Sequence, residues 1–288
     1  MTQFSGTGVA LVTPFKIDGS IDFDGLKSLL DYTAKGVDYY VVMGTTGESA
    51  TISTSEKEEI LSFVISNNTK RLPIVYGIGG NNTLQVAKTL QETNLEGVDA
   101  ILSVSPWYNK PSQAGIVAHF EYLAERSPLP IILYNVPGRT MSNMSADTTI
   151  ALSKHPNIIG IKEASHDLDQ CRAIANGMAD DFFLTSGEDL ITTEVVKMGG
   201  VGIISVLANG FPEDFSAVTR HALNGDFDKS QAVSDSFEAI NPLMYEESNP
   251  VGVKEVLRQK GVCSGYVRLP LLEATHDLKN RIAIASKA

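Results

Sequence analysis

The chain has 288 residues, 43% hydrophobic and 20% charged, with 34 acidic against 23 basic side chains for a net charge of −11. That is the composition of a globular protein with a full core, and it excludes collagen, coiled coil and extended disorder. So acidic a chain is a poor partner for nucleic acid or an anionic membrane.

Cys171 and Cys263 are too few for a disulfide framework or a zinc cluster and read as reduced thiols. The first residues lack a basic and apolar leader, and no apolar run approaches the roughly 20 residues of a membrane span, so a cytoplasmic location is expected.

Along the chain, eight short Val- and Ile-rich runs recur, at 8–15, 39–43, 73–78, 100–105, 130–136, 158–162, 182–186 and 202–207. They are continuous rather than alternating, as parallel strands buried on both faces should be. Helical periodicity fills the intervals at 23–35, 55–67, 83–94, 113–126, 146–154, 168–178, 190–198 and 213–223. The second of these opens with a capping-type Ser55-Glu56-Lys57-Glu58. Strict alternation calls for right-handed βαβ crossovers. Eight units fit an α/β fold of the (β/α)8 TIM-barrel kind better than an open sheet. Beyond about Asp226 the strand signal stops, and helices are expected at 227–239, 251–259 and 269–284. The expected organisation is a catalytic barrel over 1–225 and a C-terminal helical extension over 226–288 packed on it.

A barrel of this kind works at the C-terminal ends of its strands. Lys162 lies inside the run Ile158-Ile159-Gly160-Ile161-Lys162-Glu163. Period-2 alternation sets Gly160 and Lys162 opposite Ile159 and Ile161. If the isoleucines meet the helices, Lys162 points into the barrel and Gly160 leaves room beneath it. A buried amine has a lowered pKa and attacks carbonyl carbons; the alternative is a structural lysine paired with a barrel carboxylate.

Other strand ends carry polar groups. Gly44-Thr45-Thr46-Gly47-Glu48-Ser49 offers two hydroxyls and consecutive N–H groups to a small carboxylate, or is an ordinary turn. Its glycine spacing fits neither a dinucleotide fingerprint nor a P-loop. Tyr134 at the end of the fifth run can relay protons, or simply pack, and Arg139 in the next loop can hold a carboxylate bidentately. Trp107 and Tyr108 are two loop aromatics suited to an interface or to the core. No histidine falls at ligand spacing with another His, Cys or carboxylate, and no metal site is expected.

Together these motifs resemble the dihydrodipicolinate synthase/N-acetylneuraminate lyase family of class I aldolases. Gly44 to Ser49 followed by Glu56 matches one family signature. Tyr134-Asn135-Val136-Pro137-Gly138-Arg139-Thr140, in register with Lys162-Glu163-Ala164, matches the other. The resemblance runs from Gly8 to Pro250. Arg139 and Tyr108 are what the condensing members carry rather than the sialic-acid lyases.

The resemblance implies that Lys162 forms an imine with pyruvate, whose enamine attacks L-aspartate 4-semialdehyde on the route to lysine and diaminopimelate. It implies that Thr45 and Thr46 hold the pyruvate carboxylate with the backbone near Ile204. Tyr134, linked through Thr45 to Tyr108, moves protons, and Arg139 binds the semialdehyde. No cofactor is expected. Tyr108 is expected to reach a neighbouring subunit's site in a homotetramer built as a dimer of dimers.

The resemblance also places a possible allosteric cleft for lysine at Ser49, Ala50, Asn81, Gln85 and Trp107. Thr54 and Lys57 stand where lysine-sensitive members carry histidines, and Gln85 where they carry glutamate. Weak or absent inhibition by lysine is therefore expected. The alternatives are another pyruvate-dependent aldolase or lyase acting on a sugar acid or hydroxy-oxo acid, and a silent pyruvate-binding paralogue.

Overall fold

A computed structural model describes residues 2–286. Eight parallel strands, β1 (Gly6–Ala10), β2 (Tyr39–Val42), β3 (Ile74–Gly77), β4 (Ala100–Val104), β5 (Ile131–Asn135), β6 (Ile158–Glu163), β7 (Phe183–Ser186) and β8 (Gly202–Ser205), close into a barrel. The closing pair is β8 on β1, with Gly8 opposite Ile204. The outer helices are α1 (Phe23–Thr33), α2 (Thr54–Asn67), α3 (Thr83–Glu92), α4 (Gln113–Ala124), the single turn α5 (Pro137–Thr140), α6 (Ala146–Leu152), α7 (Leu168–Gly177), α8 (Thr192–Lys197) and α9 (Pro212–Leu223). Three more follow: α10 (Phe227–Asp235), α11 (Val251–Gln259) and α12 (His276–Ala285). None of the described helices is long and apolar enough to cross a membrane.

The strands read as continuous apolar runs because each feeds two cores. Val9, Tyr40, Val42, Ile101, Ile131, Leu133, Ile161 and Leu184 face the helices. Their neighbours Ala10, Tyr39, Val41, Leu102, Ile132, Tyr134, Phe183 and Ile204 fill the barrel. Phe4 plugs the bottom, edge-on to Tyr39 at 5.7 Å and tilted on Phe183 at 6.0 Å. With the lower barrel filled by rings, polar chemistry is confined to the upper end.

Several expectations need correcting. The first strand spans 6–10 rather than 8–15: Leu11 still bonds Val41, but Pro14 has no N–H to give, and Phe15 turns to bridge Ile21. The cap of α2 is Ser53, boxed with Glu56, not Ser55 with Glu58. The helix expected at 190–198 opens as a 3-10 turn over Asp189–Ile191 before α8. The helix expected at 227–239 ends at Asp235. The one expected at 269–284 begins only at His276, capped by Thr275, because Pro270 interrupts it and Glu247 holds Thr275 from both its N–H and its hydroxyl.

The correction that matters most for the site is in β6. Ile131 pairs with Ile158 but Ile132 pairs with Gly160, so Ile159 is an extra residue at a bulge. Ile159 packs on the barrel interior, not on the helices. Above the bulge the alternation resumes, with Ile161 outward and Lys162 inward. The space at Gly160 belongs to Phe183, whose ring would lie 2.5 Å from a Cβ placed there.

Candidate active site

Lys162 is the one lysine carried on a described strand. It is 6% exposed. The register puts Tyr134 directly beside it on β5 and Thr185 on β7. Its Nζ lies 4.5 Å from the centre of the Tyr134 ring. No carboxylate pairs with it at salt-bridge distance among the described residues.

Two acids missed in the sequence flank it, both at the end of β7. Asp189 is fully buried and accepts from Ser205 Oγ (2.5 Å), the N–H groups of Val206 and Leu207 (3.3 and 3.2 Å) and the Tyr245 hydroxyl (3.3 Å). Burial raises its pKa, and those bonds together with the charge of Lys162 oppose the rise. Glu188 is pushed up to about 7 by burial and then by Asp189, with Lys162 and Arg139 pulling the other way. Its Oε2 lies 3.2 Å from His166 Nε2. The Ser-Gly-Glu-Asp run at 186–189 was their only sequence signal.

A cavity of about 660 Å³ opens at this end of the barrel, and Lys162 is not among the residues that line it. Tyr134, Thr45 and Arg139 line it, and so do Ser49, Ala50, Asn81, Gln85 and Trp107. One space thus joins three of the expected site residues and the expected cleft. Thr46 stands behind the wall, 2% exposed, its Oγ1 accepting from Asn249 Nδ2 at 3.0 Å. Ile204 is buried in the barrel interior. Asn81 donates to the Trp107 carbonyl at 3.1 Å, which ties that cleft wall together. Lys57 is half-buried on the same wall, and desolvation lowers its pKa.

Tyr108 is not brought to this cluster within one chain. It is 85% exposed, its backbone sits at φ 73°, and only its N–H is tied back, to the Thr140 carbonyl at 3.3 Å. No described hydrogen bond joins Tyr134, Thr45 and Tyr108.

A buried network steadies the Arg139 loop. Glu163 accepts Asn135 Nδ2 at 3.1 and 3.0 Å, Ser165 N at 2.9 Å and Gln170 Nε2 at 2.9 Å. Asn135 in turn reaches Asn143 and Met144, at the far end of the loop. Burial raises the pKa of Glu163 against these donors. Among the described residues, no group of three or more His, Cys, Asp or Glu is placed to hold a metal ion.

The geometry is that of a buried amine packed beside Tyr134, which lines the cavity; such an amine, once unprotonated, can attack a carbonyl carbon. A relative from Cytophaga hutchinsonii named 4-hydroxy-tetrahydrodipicolinate synthase is 48% identical over 283 residues, 98% of this chain and 95% of the relative. The crystal structure of dihydrodipicolinate synthase from Thermotoga maritima superposes with a TM-score of 0.96 at 33% identity, covering 99% of this chain and 98% of that one. The enzyme from Cyanidioschyzon merolae, solved with lysine bound, gives 0.95 at 35% identity, with 100% and 98% covered. The family model described as dihydrodipicolinate synthetase matches residues 3–288, and the chain belongs to that family.

Proposed function

We propose that this chain is a 4-hydroxy-tetrahydrodipicolinate synthase, condensing pyruvate with L-aspartate 4-semialdehyde. The observation that carries the reading is Lys162, buried on β6 beside Tyr134, which lines the cavity. Its amine attacks the keto carbon of pyruvate and expels water to give an imine. The imine acidifies the methyl group; loss of a proton gives an enamine, whose carbon attacks the aldehyde. The amino group of the bound semialdehyde then displaces Lys162 and closes the ring.

Thr45 and Thr46 hold the pyruvate carboxylate with the backbone near Ile204. Tyr134 moves protons, and Arg139, on the exposed rim, binds the carboxylate of the second substrate. The lysine itself is the electron sink, so no cofactor is needed. Tyr108, standing clear of its own chain, completes a neighbour's site through Thr45 in a homotetramer built as a dimer of dimers. Residues 226–288 form a helical extension of the catalytic barrel, and the enzyme works in the cytoplasm.

The test is borohydride trapping with pyruvate, mass mapping of the adduct, and a semialdehyde turnover assay. An adduct on Lys162 with turnover is expected, both lost in Lys162→Ala and in Lys162→Arg, whose guanidinium stays protonated. An adduct elsewhere, or none, overturns the reading.

A further inference from the structure

The turn at 44–49 is gripped by the C-terminal part of the chain at two points. Thr46 Oγ1 accepts from Asn249. Glu48, which closes the turn, has both carboxylate oxygens engaged: Oε1 accepts from Lys254 Nζ at 2.5 Å and Oε2 from the Arg268 N–H at 3.0 Å. Glu48 sits at φ 55°, a left-handed conformation that a non-glycine residue keeps only where its surroundings hold it.

Lys254 is the second buried lysine among the described residues, its side chain 0% exposed against 2% for Glu48. Its ammonium also donates to the Tyr266 carbonyl at 2.7 Å and lies 4.2 Å from the centre of the Phe15 ring. Burial pulls its pKa down, and the Glu48 charge opposes the shift. Around this pair Arg268 ties Gly19, Thr51 and Glu56 to the same segment. A buried ion pair is weak evidence for stability, because apolar groups of equal volume serve as well. Its directional demands are what an apolar pair lacks.

We propose that the Glu48–Lys254 pair is a positioning device for the condensation, holding the turn that presents Thr45 and Thr46 to the pyruvate carboxylate. Lys254 and Glu48 touch no reacting atom. They set the spacing of the two hydroxyls that hold the substrate's carboxylate, from a helix outside the barrel. The inference rests on the reading of Lys162 as the imine-forming amine.

Pyruvate dependence of borohydride trapping, run with steady-state kinetics on the full chain, tests it. The variant is the double Glu48→Gln/Lys254→Met, which removes both charges and keeps near-equal volume. In a double variant with unchanged circular dichroism, half-maximal trapping should need roughly 10–100-fold more pyruvate. At saturating pyruvate its kcat should stay within about threefold and its KM for the semialdehyde within about twofold. Glu48→Asp keeps the charge and withdraws it by one methylene. It should shift pyruvate half-saturation about three- to tenfold, and it decides the matter should the double variant not fold. Unchanged pyruvate half-saturation in either folded variant, or equal loss on both substrates, overturns the proposal. Failure of the unmodified chain to trap pyruvate would instead remove the imine reading on which it stands.

Discussion

Gly187 and Lys162 share one space: a Cβ on Gly187 would lie 3.0 Å from Lys162 Cε, 2.5 Å from Ala164 Cβ and 3.1 Å from the Glu163 carbonyl oxygen. A side chain after β7 would clash with Ala164 and press the lysine of β6 aside by a few tenths of an ångström. Gly187→Ala should nudge the amine and slow imine formation by up to about tenfold, short of the roughly 10²-fold that a 1 Å misplacement costs. Single-turnover borohydride trapping measures it, and an unchanged rate would show that the lysine needs no such space.

Tyr134 carries a separable role. Tyr134→Phe retains the ring beside Lys162 and removes the hydroxyl. It should still trap pyruvate but turn over about 10²–10⁴-fold more slowly, the usual worth of a positioned proton donor. A kcat near that of the unmodified chain would take Tyr134 out of the proton path.

Arg139 lines the cavity from its exposed rim, away from the buried amine. Arg139→Ala should raise KM for the semialdehyde far more than for pyruvate, with Arg139→Lys recovering only part, because a point charge cannot replace a bidentate fork. Equal effects on both substrates would assign Arg139 to loop structure.

Glu188 gives a pH signature. Its carboxyl titrates near pH 7 in the folded chain against an ordinary value of 4.5. The folded state thus binds the extra proton between those values, and stability falls as pH rises through that window. Below pH 4.5 the residue costs nothing; above pH 7 the full cost, at most about 3 kcal/mol, is present. Glu188→Gln should raise the Tm at pH 8 and leave it nearly unchanged at pH 4.5, as calorimetry at the two values would read. A Tm gain independent of pH would contradict this.

The cavity wall presents Lys57 and Gln85, with a neutral amide rather than a carboxylate at position 85, and Glu58 beside Lys57. A cationic effector there loses a charged hydrogen-bond partner, typically about 1.5–3 kcal/mol, and meets a like charge. L-Lysine should therefore inhibit weakly or not at all. A titration at saturating pyruvate checks this, with sensitivity expected to appear in Lys57→His/Gln85→Glu. Sub-millimolar inhibition of the unmodified chain would refute it.

Local order was legible in the sequence, because period and composition report burial directly. Eight two-faced apolar runs required eight parallel strands, and the barrel closes as that pattern demands. Lys162 stood out as a charge inside such a run, and Thr45, Tyr134 and Arg139 by their places at strand ends. Alternation alone could not place Ile159, since a bulge depends on the register of the partner strand. Nor could it show that Glu188 and Asp189, in the turn after β7, lie near the lysine of β6, or that Gly187 packs against it. Nothing in the sequence separates Lys254, inside the helical stretch 251–259, from a solvated helical amine. Only the fold, bringing residues 206 positions apart to 2.5 Å, makes it a buried partner of Glu48. Sequence periodicity sees one chain segment at a time, whereas the protonation and aim of a buried group are set by whatever other segments enclose it.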